Sequence, residues 1–332
     1  MKACAIVLLN YNGAKVLPQF LPSVLAHSSF DIWVIDNAST DTSLYYLRQE
    51  FPSVSLICLS ENYGFAAGYN LGLEKLKGDY ETFILLNTDV EVSPSWDQEL
   101  VAHLQANSAC AAVQPKILSW KEKEYFDYAG AGGGFLDAFG YPYCRGRIWN
   151  TLEKDQGQYD DTISVDWASG ACMAIRSQDF FKQHGFDPHF FAHMEEIDLC
   201  WRLRGSGKNI AYLGQVTVYH LGGATLDRAS PQKLYLNIRN SLAMIYKQVS
   251  FLRFLFILLI KGGIEGVALL TYLITGKFTY AKAIGRGYAD FFVSQKSKSL
   301  KTKHPSGKIG SGPALLVFAE HKLLGKKKFS DL

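Results

Sequence analysis

Several features that would settle a class at a glance are missing. The six cysteines (Cys4, Cys58, Cys110, Cys144, Cys172, Cys200) form no CxxC pair. That excludes a disulfide framework and a structural zinc site of the usual spacing, and it fits a reducing cytoplasm. The opening MKACAIVLLNYNG carries no basic, apolar, small-residue leader, so no signal peptide is expected and a strand is expected at once. No internal repeat is found. Acidic side chains are scarce in one region only: residues 233–332 hold 4 Asp and Glu against 17 Lys and Arg, whereas residues 1–232 hold 27 against 17. An acidic body ahead of a basic, apolar third predicts a surface for anionic lipid or nucleic acid, a solvated tail being the plain alternative. A clean membrane span is also lacking. The stretch FLRFLFILLIKGGIEGVALLTYLI (251–274) is the most hydrophobic. As one span it places Lys261 and Glu265 near mid-bilayer, at about 2.5–3.5 kcal/mol for the lysine alone. Gly262-Gly263 also weakens a helix there. Two short helices, lying on a membrane or docked against the body, are expected instead.

What is present suits one large domain or a domain with an appendage: 332 residues, 48% of them hydrophobic. Up to residue 115 strand and helix signals alternate. ACAIVLL, DIWVID, VSLICL and TFILLN are apolar strand runs. AKVLPQFLPSVLAH, STDTSLYYLRQEF, AAGYNLGLEKL and SPSWDQELVAHLQAN have helical spacing, the last with Ser93 as N-cap and Pro94 at its first position. This order predicts βαβ units, a mostly parallel sheet with helices on both faces, and ligands outside the carboxyl ends of the strands. Those ends carry Asn10-Tyr11-Asn12, Asp36-Asn37, Glu61-Asn62 and Asn87-Thr88-Asp89. Four polar ends in a row predict one polar crevice. Residues 125–165 are rich in glycine and aromatics and are expected as long loops or short strands on the crevice side. Residues 233–293 read as helical and apolar. SQKSKSLKTKHPSGKIGSGP is expected to be basic and mobile, and PALLVFAEHKLLGKKKF to form a last amphipathic helix. The division is thus 1–232, a catalytic body, and 233–332, a helical, membrane-associating region.

Chemistry-bearing side chains sit at those strand ends. Asp89 closes a buried strand and offers oxygen to a hard divalent cation, which would neutralise a diphosphate; many strands also end in Asp for turn reasons. Asp36 can accept a hydrogen bond from a nucleobase imide, or serve the turn into the helix starting near Ser39 or Thr40. Tyr11 offers a face for stacking a base. His220 ends VTVYH, just before Gly222-Gly223, and its neutral imidazole could join Asp89 on Mn²⁺ or Mg²⁺.

In order and spacing, AIVLLNYNG, VIDNASTDTS, ENYGFAAGYNLGL, FILLNTDVEV, ASGACMAIR, GFDPHFFAHMEEIDLCWRLRGSGK and VYHLGGAT resemble the inverting GT-A glycosyltransferases of family 2, and within them bacterial rhamnosyltransferase-like enzymes of surface polysaccharide synthesis. The likeness covers roughly residues 3–240. It implies a UDP- or dTDP-sugar donor, such as dTDP-L-rhamnose, and Mg²⁺ or Mn²⁺. It implies that Tyr11 and Asp36 hold the base, that Asn62 and Gly64 line the base and ribose pocket, and that Asn87 and Asp89 occupy the DXD-like position. Asp89 and His220 become the metal ligands. With Asn87 where the pattern has Asp, the metal meets less negative charge, and its affinity is expected to be modest until the diphosphate arrives.

The family pattern reads Glu-Asp where this chain has Glu195-Glu196, and the second position is the base. Glu196 is therefore expected to take the proton of the acceptor hydroxyl, with Glu195 orienting it or touching a sugar. Capping of the helix start is the structural alternative for all three acids. Asp198 and Arg202, four apart, are expected to form an ion pair. Arg145 and Arg147 suit bidentate phosphate contacts, and Trp167 with the nearby aromatics suits sugar stacking; ion pairs of the arginines with Asp160 or Asp161 are the alternative. The expected protein is a peripheral enzyme at the cytoplasmic face of the membrane, extending a glycan on a polyprenyl diphosphate, with no nucleic acid partner. A nucleotidyltransferase fits less well, because NYNGAKVLP lacks a glycine- and arginine-rich loop. A catalytically silent nucleotide-sugar-binding subunit is the rival of another class.

Overall fold

The alternation at the start of the chain folds as a parallel half-sheet. The computed structural model describes residues 1–222, 230–294 and 309–332. Gly223 and the basic stretch 295–308 therefore lie outside the described residues. The elements run β1 (Lys2–Asn10), α1 (Leu17–His27), β2 (Asp31–Asp36), α2 (Ser43–Glu50), β3 (Ser55–Cys58), α3 (Gly64–Glu74), β4 (Tyr80–Leu86), β5 (Val90–Val92), α4 (Trp96–Ala106) and β6 (Cys110–Ser119). Four short strands follow, β7 (Gly134–Leu136), β8 (Pro142–Cys144), β9 (Arg147–Ile148) and β10 (Thr151–Leu152). Then come β11 (Thr162–Val165), β12 (Cys172–Arg176), α5 (Ser177–Lys182), α6 (Glu195–Gly205), β13 (Asn209–His220), α7 (Pro231–Gln248), α8 (Phe251–Ile274), α9 (Phe278–Ser294) and α10 (Val317–Lys322).

The main sheet has the order β11-β13-β6-β12-β4-β1-β2-β3, with β5 paired to β13. β3, β2, β1 and β4 are mutually parallel, as βαβ units require. β12 runs antiparallel between β4 and β6 and adds an antiparallel seam to the expected sheet. Both faces of the central strands are buried: Ala5, Val7 and Leu85 pack into one apolar cluster, Ile6, Leu8 and Ile84 into the other. Such strands read as continuous apolar runs, which is why they were legible.

Two helix starts differ from expectation. α4 begins at Trp96, because Ser95 sits in the left-handed region (φ 63) and ends the turn there. Ser93 donates its hydroxyl to the Thr217 carbonyl at 2.6 Å and does not cap the helix. α2 begins at Ser43, because residues 39–41 are held in a turn by Asp36 and Asn12 (Ser39 N to Asp36 Oδ2, 3.1 Å; Thr40 N to Asn12 Oδ1, 2.8 Å).

The glycine-rich segment becomes the four-stranded antiparallel sheet β10-β9-β8-β7. Residues 309–332 strap across it. The Ala314 amide donates to Tyr143 Oη (3.1 Å), the Val317 amide to Asp137 Oδ2 (3.0 Å) and the Phe329 amide to Glu153 Oε1 (3.2 Å). The last amphipathic helix shrinks to the six residues of α10.

The compositional boundary at 232 is not a packing boundary. Leu242, Met244 and Ile245 of α7 belong to the same buried cluster as the sheet residues Val7 and Leu85. Beyond α7, the 251–274 stretch is one unbroken helix, where two short helices were expected. Lys261 is buried on its inner side, 3.2 Å from Glu265, so the polar pair that counted against a long helix is satisfied by the body.

Candidate active site

The polar residues that end β1 and β2 meet at one edge of the sheet. Asn10 Nδ2 donates to Asp36 Oδ1 (2.9 Å), Ser39 Oγ (3.0 Å) and Ser43 Oγ (3.0 Å). Asp36, 2% exposed, thus serves the turn into α2, with Oδ1 taken by Asn10 and Oδ2 by the Ser39 amide. Tyr11, the residue after Asn10, has 40% of its surface exposed. Asn37 reaches across to the third loop: its Nδ2 donates to Asn62 Oδ1 (3.0 Å) and to the Gly64 carbonyl (3.0 Å), and its Oδ1 accepts from the Tyr63 amide (3.0 Å). Gly64 opens α3 at φ 74, and a Cβ there would lie 2.6 Å from the Phe191 ring. The Phe65 amide donates to the Phe191 carbonyl at 2.8 Å, which pins the loop ahead of α6 onto this pocket. Tyr11, Asp36, Asn62 and Gly64 are therefore connected through Asn10, Asn37 and the turns between them.

At the other end, β13 carries His220 beside Asp89. His220 Nε2 lies 3.3 Å from Asp89 Oδ1 and 3.4 Å from Asn87 Nδ2. Its Nδ1 meets Asp127 Oδ2 at 2.9 Å. Burial pulls the imidazole pKa down, but the charges of Asp89 and Asp127 and their hydrogen bonds outweigh it and raise it to about 10. Asp127 is 1% exposed, and the same Oδ2 accepts from the Ala129 amide at 2.8 Å. Sequence reasoning missed this residue, since an Asp in a glycine-rich loop has no spacing that ties it to a histidine 93 positions later.

The donor set fits a divalent cation in part: with its pKa raised, His220 rests as an imidazolium, and an ion bound there would have to displace its Nε2 proton. Adjacent oxygen or nitrogen ligands of an octahedral ion with ~2.1 Å bonds lie roughly 3 Å apart, close to the 3.3 Å between Asp89 Oδ1 and His220 Nε2. Among the described residues no group of three or more His, Cys, Asp and Glu side chains is arranged to hold a metal by itself. A cation here needs further oxygens from its substrate.

The carboxylates of α6 lie beside this site. Met194 before them is left-handed (φ 76), as is His193 (φ 71), so the chain turns sharply and aims the first helical residues inward. Glu195 is buried, 4% exposed, and Oε2 of both Glu195 and Glu196 has no hydrogen-bond partner. Burial, then the neighbouring Glu196 charge, push the Glu195 carboxyl well above its ordinary range. Burial also raises Glu196, against the backbone amides of Glu196, Gly170 and Ile197 and the charge of Lys233. A Cβ on Gly170 would lie 4.0 Å from Glu196 Oε1, and the next carbonyl, of Ala171, accepts from the Asn87 amide at 3.0 Å. One turn therefore connects the Glu196 carboxylate to the strand end that bears Asn87 and Asp89. His193 adds a buried Nε2 without a partner, its pKa lowered to about 4 by burial and then by Lys233.

Asp198 is structural. Its Oδ2 pairs with Arg202 Nε (2.9 Å) and its Oδ1 with Lys247 Nζ (2.9 Å), which also binds Asp187 Oδ2 at 2.7 Å. This buried network clamps α6 to α7. Arg145 and Trp167 are engaged by the protein itself. Both Arg145 terminal nitrogens go to Asp161 (2.7 and 3.0 Å), its Nε goes to the Gly132 carbonyl (2.8 Å), and its guanidinium lies 4.8 Å from the rings of Tyr159 and Tyr212. A salt bridge plus stacking uses every face of it. Trp167 packs against Gly134, and its Nε1 donates to the Phe135 carbonyl at 3.0 Å. Arg147 keeps a partnerless Nε, stacks 4.1 Å from Tyr128, and shares that ring with Lys233 at 5.1 Å.

Comparisons with known proteins bear on this arrangement. The model of "Glycosyl transferase family 2" matches residues 5–181, more than half of the chain. The N-acetylglucosaminyl-diphospho-decaprenol L-rhamnosyltransferase of Mycobacterium tuberculosis is 26% identical over 233 residues, 65% of this chain and 75% of that protein. Rhamnosyltransferase WbbL of Escherichia coli K12 is 28% identical over 165 residues, 48% of this chain and 61% of that one. GalNAc-T7 with UDP, GalNAc and Mn²⁺ superposes with a TM-score of 0.55 at 16% identity, over 74% of this chain and 48% of that chain. TarS 1-349 of S. aureus with UDP-GlcNAc also gives 0.55, at 14% identity, over 86% and 80%. At such identities the structures speak for the fold, which is GT-A. The polar crevice thus lies in a glycosyltransferase scaffold, and the chain belongs to glycosyl transferase family 2.

Proposed function

We propose that the chain is an inverting, metal-dependent transferase that moves one sugar from a UDP- or dTDP-sugar, with dTDP-L-rhamnose the first candidate, to a hydroxyl of a lipid-linked glycan at the cytoplasmic face of the membrane. The observation that carries this is the pair of carboxylates at the start of α6, buried Glu195 and half-buried Glu196, each with a buried Oε2 that has no hydrogen-bond partner, one turn away from Asn87. A buried carboxylate oxygen without a partner costs stability, and such perturbed acids cluster at functional sites.

In this reading Tyr11 and Asp36 hold the base, and Asn62 and Gly64 shape the ribose pocket. Asp89 and His220, with Asn87 beside them, would hold Mg²⁺ or Mn²⁺, which would neutralise the leaving diphosphate. Glu196 takes the proton from the acceptor hydroxyl as it attacks the anomeric carbon opposite the diphosphate. Its raised pKa makes it a stronger base than a solvated carboxylate. Glu195, held toward its protonated form, donates to Glu196 or to a sugar hydroxyl. Arg147, whose Nη1 donates to the Trp149 carbonyl (3.0 Å) while its Nε has no partner, is the candidate for the acceptor's phosphates. The M. tuberculosis relative, whose name specifies a GlcNAc-diphospho-decaprenol acceptor, supports the lipid-linked class.

The test is a thermal-shift panel of UDP- and dTDP-sugars with and without Mn²⁺ or Mg²⁺, followed by transfer to a GlcNAc-diphospho-polyprenol. Stabilisation that needs both nucleotide and metal, with turnover, supports the reading. Donor binding without turnover on any lipid-linked acceptor makes the chain a silent nucleotide-sugar-binding subunit instead.

A further inference from the structure

The outer side of α8 is apolar from end to end. Ten large apolar side chains between Phe251 and Phe278 are exposed by 38–86%. At 100° per residue, Leu252, Phe256, Leu259, Val267, Leu270 and Ile274 fall within one sector of the helix, and no charged residue of α8 shares it. The opposite side is polar at its centre and faces the body. Lys261 Nζ lies 3.2 Å from Glu265 Oε1 and 3.6 Å from the centre of the Tyr141 ring. Tyr288 Oη of α9 donates to Glu265 Oε2 at 2.6 Å. The helix is docked along its whole length. Phe254 packs on Tyr246 of α7 and Phe291 of α9, and Tyr272 on Tyr280 of α9, while Phe256 of the outer sector, still 58% exposed, also reaches Phe139 ahead of β8.

This geometry separates two ways of meeting a membrane. By length and hydropathy the 24-residue α8 could cross a bilayer. Crossing would drag α9, with its exposed Lys282 and Arg286, and the Tyr141 turn of the small sheet into hydrocarbon, because all are packed against it. Lying flat sinks only the apolar sector, and the polar centre stays against the protein. We infer that α8 is an in-plane membrane anchor whose exposed face rests in the interface of a bilayer bearing anionic headgroups. Charge complementarity points to that occupant. Lys277, between α8 and α9, and Lys282 of α9 are exposed, as is Arg286 beside Asp290 (3.2 Å), in a region with 17 basic residues against 4 acidic ones. A second copy of this chain would bring those charges against their own kind. The anchor also fixes the height of the active site. α7 packs on α9, and Asn240 of α7 donates to the Ala192 and His193 carbonyls (2.9 and 2.8 Å) just ahead of Glu195. That use of the surface rests on the lipid-linked acceptor proposed above; the docking itself does not.

The test uses the full chain with extruded vesicles of phosphatidylcholine alone or with added phosphatidylglycerol. Wild type is expected to float with the anionic vesicles, less with the neutral ones, and less as salt screens the basic side chains. Carbonate at high pH should release it. Leu259→Glu with Leu270→Glu is expected to cut the floated fraction at least tenfold, while melting temperature and turnover of a water-soluble acceptor analogue stay unchanged. Carbonate-resistant binding would overturn the in-plane reading in favour of a span. Failure of wild type to float, or a double variant that changes oligomeric state and leaves flotation intact, would overturn the lipid occupant. Flotation without turnover of either acceptor would refute the proposed activity and leave the anchor standing.

Discussion

Replacing Glu196 by Gln tests the assignment most sharply, because the structure gives opposite expectations for its neighbour. Glu196 Oε2 has no hydrogen-bond partner, so a Gln amide at that position breaks no bond to Oε2 and relieves a buried carboxylate. The variant should fold at least as well as wild type. What it loses is the base, a contribution of about 10²–10⁴ in rate, or roughly 3–5 kcal/mol of barrier at about 1.4 kcal/mol per decade. Glu195 is held toward the protonated form by burial and by Glu196, so Glu195→Gln resembles the side chain already present and should keep activity within about tenfold. The sign for stability follows. A carboxyl whose folded pKa is raised costs stability as pH climbs above its unfolded value, so Glu195→Gln should raise the neutral-pH melting temperature. In wild type the acid limb of kcat/KM should lie above 4.5, the ordinary glutamate value, because burial raises Glu196. The assay is release of nucleoside diphosphate at saturating donor, with calorimetric donor titration beside it. Glu196→Gln retaining activity within tenfold, or Glu195→Gln as inactive as Glu196→Gln, would refute the division of roles.

Asp127→Asn should weaken Mn²⁺ binding in the presence of UDP by about 10–100-fold, read by calorimetry, since Asp127 fixes the His220 ring through Nδ1; unchanged affinity would reduce it to a loop residue. Lys247→Met should cost about 3–5 kcal/mol in chemical denaturation, because Asp187 and Asp198 lose a shared buried cation; a loss below about 1 kcal/mol would contradict the network. In Asp187, burial works against ionisation, but Lys247 and the His189 contacts bring the pKa to about 2 from 3.8. That lowering holds about 2 kcal/mol of stability, present above the ordinary value, lost as pH falls through the folded one, and absent in Asp187→Asn. Gly64→Ala should destabilise by more than about 1 kcal/mol and weaken nucleotide binding, given φ 74 and the Phe191 ring; a wild-type titration would show that the loop can shift.

The placing of Tyr11, Asp36 and Asp89 at strand ends was legible because it is local. Each of Tyr11, Asp36 and Asp89 follows an apolar strand run directly, and parallel strands deliver their carboxyl ends to one edge by topology alone. The second half of the site depends on pairings that no period encodes. Asp127 and His220 meet across a loop and a strand. Lys247 finds Asp198 from a helix that composition alone had assigned to another region. Arg145 shows the converse: a guanidinium in a glycine-rich insert looks like a phosphate ligand until Asp161, Tyr159 and Tyr212 are seen to surround it. The single long α8 was missed because Lys261 and Glu265 were weighed against lipid, whereas a tyrosine-lined protein surface receives them.

The strap of residues 309–332 sets a schedule. Tyr143 waits 171 positions for Ala314, Asp137 180 for Val317, and Glu153 176 for Phe329. At ribosomal speeds of about 5–20 residues per second, that interval lasts roughly 10–35 s. Arg204 of the base-bearing helix is held by the Ile309 carbonyl at 2.8 Å, so it waits as well. A nascent chain released before residue 309 would have completed its nucleotide half and left the small sheet open. The order of synthesis thereby delays the finished packing of α6 until nearly all of these residues have been made.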